Sequence, residues 1–434
     1  MALLSKLFSR PTKPRAVLIG LDGVPYTLLE TLIAKGVTPN LGRLAAAGAS
    51  HFQQMDATLP EISSVSWSSF MTGTNPARHG IYGFMDLKPG TYQMYFPSYP
   101  HLKAEPLWDT LGKRGKRSVV LNLPGTYPAR PHEGVLVSGF VAIDLKKAVH
   151  PPSILPYLEK MGYRIDVDTS KAADADFLYR DLDETLAARE RAFDHFWTSE
   201  NWDLFVAIIT GTDRLQHFQW HAVADASHPN HERAMAYYAK ADAVVGRLLD
   251  RLGGDDLCLL MSDHGFCGIE TEVLVNRHLV SGGFLKWEKD PPDSFADIHP
   301  EARAFALDPS RIYLHRRGRY PKGRVEEREV PALREELKAF FLGLEYQGRR
   351  FIKEVFFPEQ IYEGPEFDKA PDLVLLTSDG FDLKGNPRKA EPFARTHFTG
   401  MHNRHDAFLL SNRPLPDKRP HIEDVHGLLL GWIG

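Results

Sequence analysis

Three fragments far apart in the chain carry side chains able to hold a metal ion. They are Asp22-Gly23 after the apolar run AVLIGL, Asp213 with His217 four positions on, and Ser262-Asp263-His264-Gly265 after the run LCLLM. A fourth segment, THFTGMHNRHD, offers His397, His402 and His405, and spacing alone does not choose among them. Carboxylate oxygens and imidazole nitrogens suit divalent cations, each taking about three protein ligands with a position left for substrate. Two such cations roughly 4 Å apart can clamp both the attacking and the leaving oxygen of an in-line displacement at phosphorus. Phosphoryl hydrolysis is therefore the chemistry these residue types suggest. Taken singly, each fragment also has a structural explanation. Asp-Gly marks turns, and Asp-x-x-x-His pairs commonly sit on a helix surface. Asp263-His264 is harder to explain by packing, because two ionisable residues follow directly on an apolar strand.

A nucleophile is available in PEISSVSWSSFMTG, which spans Pro60 to Gly73 and includes Ser63, Ser64, Ser66, Ser68 and Ser69. A serine at a helix N-terminus beside two cations could lose its proton, while the free backbone N–H groups of the first turn face an anion. Composition does not say which serine. Arg78-His79-Gly80 follows closely, and an arginine there could fork two phosphoryl oxygens. Arg78, His79 and Arg214 are candidates for charge stabilisation.

These groups meet only if the chain brings them to one place. The run Ala16–Leu21 is continuously apolar, as in a strand buried on both faces. Similar runs at Ser118–Leu123, Leu204–Ile209, Leu257–Met261 and Leu373–Leu376 alternate with helix-period stretches such as Phe177–Trp197 and His231–Leu252. That alternation predicts an α/β fold with a mainly parallel sheet and helices on both faces. Open sheets of this kind bind ligands outside the carboxyl ends of their strands. Asp22, Asp213 and Asp263 all follow expected strands, so one sheet would carry them to a common rim. No repeat or long linker divides the chain, which predicts a single catalytic domain over 15–434. The Pro-rich, less regular region 268–400 is expected to carry an inserted subdomain flanking the site.

With 434 residues, 43% of them hydrophobic and 25% charged, the chain has the balance of a globular protein with a substantial core. A formal net charge of -4 gives no general attraction to nucleic acid or an anionic membrane. The basic stretch HRRGRYPKGR, His315–Arg324, reads as solvated surface. Two cysteines, Cys258 and Cys267, exclude a disulfide framework and suit a reducing compartment. Cys267 lies close enough to His264 to be considered as a soft ligand, but the carboxylates and imidazoles already suffice. The opening MALLSKLFSRPTKPR is too short in apolar residues for a signal peptide, and no run approaches the ~18 of a membrane span. A cytoplasmic location is expected.

The ordered set VLIGLDG, SSVSWSSFMTGTNPARHGIYGF, TDRLQHFQW, SDHGF and GMH, together with LNLPGTYPARPHEGVLVSGF, resembles the type I phosphodiesterase/nucleotide pyrophosphatase branch of the alkaline phosphatase superfamily. Within that branch it is most similar to the prokaryotic predicted phosphohydrolase/phosphomutase group. The resemblance implies an alkaline phosphatase-like three-layer sandwich. It also implies Ser63 as nucleophile, ten residues before the glycine of Thr72-Gly73. Asp22, Asp263 and His264 would hold one cation; Asp213, His217 and His402 would hold the other, His402 being chosen by the Gly-x-His motif of Gly400-Met401-His402. Zinc is the usual metal of the family, and manganese or magnesium would also suit the carboxylates. The implied activity is hydrolysis of a small phosphorylated substrate, a phosphodiester or phosphomonoester, through a phosphoseryl enzyme. Phosphoryl transfer of the phosphomutase kind is the alternative on the same centre, and a metal-binding protein without turnover is another. Two departures stand out. Phe84 occupies the position where the nucleotide pyrophosphatases carry an asparagine for a phosphoryl oxygen, which puts nucleotide diesters in doubt. Ser63 is followed by Ser64-Val65-Ser66-Trp67 rather than the x-Pro-x-Arg of sulfatases.

Overall fold

Alternate residues of β1 (Ala16–Leu21) enter different cores. Val17, Ile19 and Leu21 join one hydrophobic cluster, while Ala16 and Leu18 join another. Apolar side chains on both faces place such a strand inside a sheet covered on both sides. The structure, a computed structural model, describes residues 14–395 and 397–434. Of the opening segment only Pro14 and Arg15 fall within this range, so the reading of MALLSKLFSRPTK, like Thr396 of the histidine-rich segment, lies outside the described residues.

Seven further strands complete the sheet: β2 (Phe52–Met55), β3 (Ser118–Leu123), β4 (Gly134–Ser138), β5 (Val149–His150), β6 (Leu204–Ile209), β7 (Leu257–Met261) and β8 (Ala407–Ser411). Their order is β2-β8-β7-β1-β6-β3-β4-β5. The run from β7 through β1, β6 and β3 to β4 is parallel. Antiparallel strands close both edges, β8 and β2 on one side and β5 on the other. The fold is thus α/β with a large, mostly parallel central sheet, as the alternation of apolar runs predicts.

Helices cover both faces. On one, α1 (Ser63–Thr72) and α5 (Ile422–Ile433) pack Trp67, Phe70, Val425 and Leu429 against the side of the sheet that carries Leu18. On the other lie α2 (Ala175–Ser199), α3 (Gly211–Ala224) and α4 (His231–Leu249), with Leu182, Leu215 and Val245 in the cluster around Ile19. The first turn of α2 starts before Phe177 because Asp174 accepts hydrogen bonds from the N–H groups of Asp176 and Phe177. Among the described residues no helix is long and apolar enough to cross a membrane.

The run Leu373–Leu376 departs from the sequence reading. It lies in the strand Leu373–Thr377, which belongs to a separate four-stranded antiparallel sheet with Ala304–Leu307, Arg311–Leu314 and Ile352–Phe356. A buried apolar run looks the same in parallel and antiparallel sheets, so the sequence pattern does not assign it to one or the other. With the helices Val275–Ser281 and Val330–Leu342, this sheet encloses its own cluster, including Leu279, Phe305, Leu337 and Leu373. Region 268–400 is therefore more regular than its composition suggests. The basic stretch packs at its edge with three of its cations paired: Arg316 to Asp372 and Glu327, Arg317 to Glu326, Lys322 to Glu288.

Leu18 is fully buried between β1 and the α1/α5 layer. Leu18→Ala should lower unfolding free energy by about 2–5 kcal/mol, read as a shift in the urea midpoint with unchanged slope.

Candidate active site

Strands β7, β1 and β6 are adjacent, and their carboxyl ends deliver Asp263, Asp22 and Asp213 to one rim. Asp213 sits in the first turn of α3, so His217, one helical turn later, shares its face. His402 arrives by another route. It lies in the strand Gly400–Asn403, which pairs antiparallel with Gly265–Gly268 and sets His402 opposite Phe266. The imidazoles of His264 and His402 then stack, with ring centroids 3.6 Å apart. Asp22, Asp263 and His264 form one group and Asp213, His217 and His402 the other, with the donor atoms of each group lying within 4.8 Å of one another.

Each carboxylate has one oxygen fixed and one free. Asp22 Oδ2 accepts from the Trp67 indole N–H at 3.2 Å, Asp263 Oδ1 from the Gly23 N–H at 3.1 Å, and Asp213 Oδ2 from Arg214 at 2.7 Å. The opposite oxygens, Asp22 Oδ1, Asp263 Oδ2 and Asp213 Oδ1, are buried without a hydrogen-bond partner. Two glycines permit this bracing. A Cβ on Gly20 would lie 2.7 Å from the Trp67 ring, and Gly23 adopts φ 68° in a turn where a Cβ would crowd Phe266 and His264.

The imidazoles follow the same pattern. Nδ1 of His217, His264 and His402 lies 3.0–3.1 Å from the carbonyl oxygens of Gly400, Gly265 and Glu61 respectively. An Nδ1–H donated to a carbonyl leaves the Nε2 lone pair to face the group. The Nε2 atoms of His217 and His402 are 3.0 Å apart, and both approach Asp213 Oδ1, at 3.4 and 3.3 Å. Two lone pairs at that distance need a positive charge between them, either a proton or a cation. His264 Nε2 similarly faces Asp263 Oδ2 at 3.3 Å and Asp22 Oδ1 at 3.8 Å.

Charge in the site is unbalanced. Burial, reinforced by Asp263 and Asp213, raises the Asp22 carboxyl well above its ordinary range, and burial pushes Asp263 up to about 6. For Asp213, burial acts in the same direction, but His217, Arg214 and His402 outweigh it and hold the carboxyl low. Burial keeps His217 down at about 4, whereas His402 is raised because its close contact with Asp213 and the charges of Asp213 and Asp263 overcome burial. Buried carboxylates held together with few donors are what a divalent cation would stabilise. The donor set thus fits two cations.

The structure separates the serines. Ser66, Ser68 and Ser69 are engaged by Thr58, the Ser64 carbonyl and His79. Ser63, the first residue of α1, places its Oγ 3.0 Å from His264 Nε2, and Ser64 Oγ is buried without a partner. Ile62 supplies no side-chain cap, so the first N–H groups of α1 are open to an anion.

The three expected substrate contacts are engaged by protein groups. His79 is fully buried, bonded to Ser69 Oγ and the Ile81 N–H, and burial holds it neutral with its pKa down at about 3. Arg78 is half exposed and pairs with Glu363 at 3.6 Å. Arg214 is spent on protein carboxylates, bonding Asp213 at 2.7 Å and Asp166 at 2.7 and 3.0 Å, with its guanidinium over the Phe140 ring. It braces Asp213. His397 stacks on Phe218, and His405 pairs with Asp56 at 3.0 Å. Burial pushes the Cys267 thiol up to about 12, which leaves it protonated. Trp67, Gly23 and Asp166, which brace the carboxylates directly or through Arg214, were not singled out from sequence, since their partners are 45, 240 and 48 positions away.

The fold is shared with solved structures. Phosphonoacetate hydrolase from Sinorhizobium meliloti 1021, in complex with phosphonoformate, superposes with a TM-score of 0.65 at 19% identity, covering 97% of this chain and 96% of that one. Murine ectonucleotide pyrophosphatase/phosphodiesterase 5 gives 0.54 at 13% identity, covering 96% and 95%; a complex of an inactive form of that enzyme with AMP gives 0.56 at 12%, covering 97% and 95%. No curated protein matches the chain in sequence. The fold is that of these enzymes, and its rim carries two groups that could hold metal ions. More narrowly, the chain belongs to the type I phosphodiesterase/nucleotide pyrophosphatase family, which it matches over residues 16–406. Members of this family are dinuclear metal-dependent enzymes that hydrolyse phosphoric esters.

Removing a brace should loosen the group it serves. Arg214→Gln is expected to weaken zinc or manganese binding at the Asp213 group by roughly 10- to 100-fold. Calorimetric titration of the metal-stripped protein should show one of two binding steps shifted.

Proposed function

We propose that the chain hydrolyses small phosphorylated substrates, phosphomonoesters or phosphodiesters, through a phosphoseryl intermediate on Ser63. Asp22, Asp263 and His264 would hold one divalent cation and Asp213, His217 and His402 the other, zinc being the first candidate and manganese or magnesium the alternatives. The observation that carries this reading is the set of three buried carboxylate oxygens without donors, beside a serine hydroxyl 3.0 Å from His264 Nε2 at an uncapped helix start. Bound cations supply Lewis-acid charge that lowers the pKa of a neighbouring hydroxyl and neutralises phosphoryl oxygens. Ser63 Oγ forms the bond to phosphorus as the bond to the ester oxygen breaks, with the phosphoryl oxygens facing the first N–H groups of α1. In-line geometry sends the ester oxygen away from Ser63, toward the His217/His402 side. Water attacking from that side then displaces Ser63 and releases phosphate from a monoester, or the remaining phosphomonoester from a diester.

The same reading makes 15–434 one catalytic domain with 268–400 as the subdomain beside the site, since Ser310, Asp382 and Lys384 of that region share a cavity with His217 and His402. Two free cysteines, one of them buried, support the reducing environment of the cytoplasm.

Ser63→Ala should lower turnover by about three orders of magnitude or more while metal content by elemental analysis stays unchanged. Near-normal turnover would transfer the role to Ser64. Exhaustive chelation should abolish activity, and added zinc or manganese should restore it; activity that survives chelation would sink the two-cation reading. Hydrolysis in 18O-labelled water should place the label in phosphate, whereas phosphoryl transfer to a second hydroxyl would not.

A further inference from the structure

A cavity of about 100 Å³ opens beside the Asp213 group, between the rim of the central sheet and the second, antiparallel sheet. His217 and His402 form one wall; Ser310, Asp382 and Lys384 face them. Its position is informative, given the proposed hydrolysis on which this inference rests. Ser63 lies against His264, so an in-line departure takes the leaving oxygen to the His217/His402 side, where this cavity begins.

Ser310 is unusual in two respects. It is 4% exposed, and its Oγ is buried with no hydrogen-bond partner. Its φ is 56°, a left-handed conformation that costs a serine free energy and that glycine would adopt more readily. An unpartnered hydroxyl on a strained, buried backbone is a poor choice for stability and a good one for a ligand contact. Nearby, Glu61 Oε2 is also buried without a partner, and the Lys384 ammonium is 2.7 Å from Asp382, which occupies only one of its three donors. The residues lining the cavity thus carry donors and acceptors together, with Phe381, Met401 and Ile62 as apolar wall.

Size limits the occupant. About 100 Å³ equals the liquid volume of roughly three waters and falls well below the roughly 300–1,000 Å³ of pockets for drug-sized ligands. A neighbouring groove of about 600 Å³ shares Glu61, Thr377, Met401 and His402, but of the six carboxylate and imidazole residues it touches His402 alone.

We propose that this cavity is the leaving-group subsite and that Ser310 is its specificity-determining residue, selecting phosphate esters of short hydroxylated alcohols over alkyl esters without hydroxyls and over nucleoside esters. The hydroxyl of such an alcohol would satisfy Ser310 Oγ, which an alkyl group leaves unpaired in a dry site.

The test compares kcat/KM for glycerol 1-phosphate, ethyl phosphate and AMP in the metal-loaded enzyme. Glycerol phosphate should be preferred to ethyl phosphate by roughly tenfold, with AMP poorest. In Ser310→Gly, which suits the left-handed backbone and so folds, the glycerol-to-ethyl ratio should fall toward one, chiefly through KM for glycerol phosphate. Ser310→Ala should give the same ratio with its own backbone cost, which separates hydroxyl loss from strain relief. An unchanged ratio in both variants, or AMP turned over as well as glycerol phosphate, overturns the subsite assignment. The parent hydrolase reading fails separately, through turnover of all three esters that survives exhaustive chelation.

Discussion

Three carboxylates, Asp22, Asp213 and Asp263, stand 0–3% exposed with one oxygen of each left without a donor. Burying an ionised carboxylate without full compensation is costly, and burying three side by side multiplies the cost. The chain provides one guanidinium, Arg214, and divides it between Asp213 and Asp166. Its other braces are neutral N–H groups of Trp67 and Gly23. These fix orientation but leave the charge in place, so the rim is organised to be completed by positive charge from outside the chain. Folding of the rim and occupancy of the two groups are then linked, since whatever neutralises the free oxygens also stabilises the folded chain.

Such a rim needs a stiff support, and the sheet provides it. β7, β1 and β6 are consecutive and parallel, so their three exits lie side by side at the spacing of neighbouring strands. Both faces of β1 are packed, which leaves Asp22 little freedom to turn away. The helix carrying Ser63 is locked to the same strand, because Gly20 admits the Trp67 ring and Trp67 in turn bonds Asp22. Ser63 and the first group are therefore positioned by one packing contact. The second group depends on a longer path through the pairing of Gly400–Asn403 with Gly265–Gly268.

What was legible in the sequence follows from the range of the interactions involved. Strands β1, β3, β6 and β7 have the expected bounds, because a run buried on both faces announces itself locally. Asp213 and His217 share a helix face for the same local reason. The choice of Ser63 among its neighbours and of His402 over His397 and His405 came from family resemblance; the residues that distinguish them spatially, His264 at 3.0 Å from Ser63 and the Glu61 carbonyl at 3.0 Å from His402, are 201 and 341 positions away. The pairing of Arg214 is hidden from the sequence for a related reason. Its partner Asp166 is 48 residues earlier, and an arginine adjacent to a candidate ligand reads as available until that pairing is seen. The run Leu373–Leu376 reads as one more strand of the parallel sheet but belongs to the antiparallel one, because burial pattern carries no strand direction.

The substitution at Phe84 takes on a different meaning in this setting. Where the nucleotide pyrophosphatases have an asparagine for a phosphoryl oxygen, Phe84 stacks on Phe140 with rings 4° from parallel and centroids 5.8 Å apart. Arg214 lies 4.3 Å over that same Phe140 ring while it holds Asp213. Phe84 and Phe140 together form an aromatic support for the arginine behind a carboxylate of the rim. Cation–π contacts of this kind contribute about 0.5–2 kcal/mol, and more as the guanidinium is desolvated. Arg214 is only 12% exposed, so the contact sits toward the upper end of that range. Phe84 is thus tied through Phe140 to the placement of Asp213, and in the proposed reaction the phosphoryl charge would fall to the two carboxylate–imidazole groups and the start of α1.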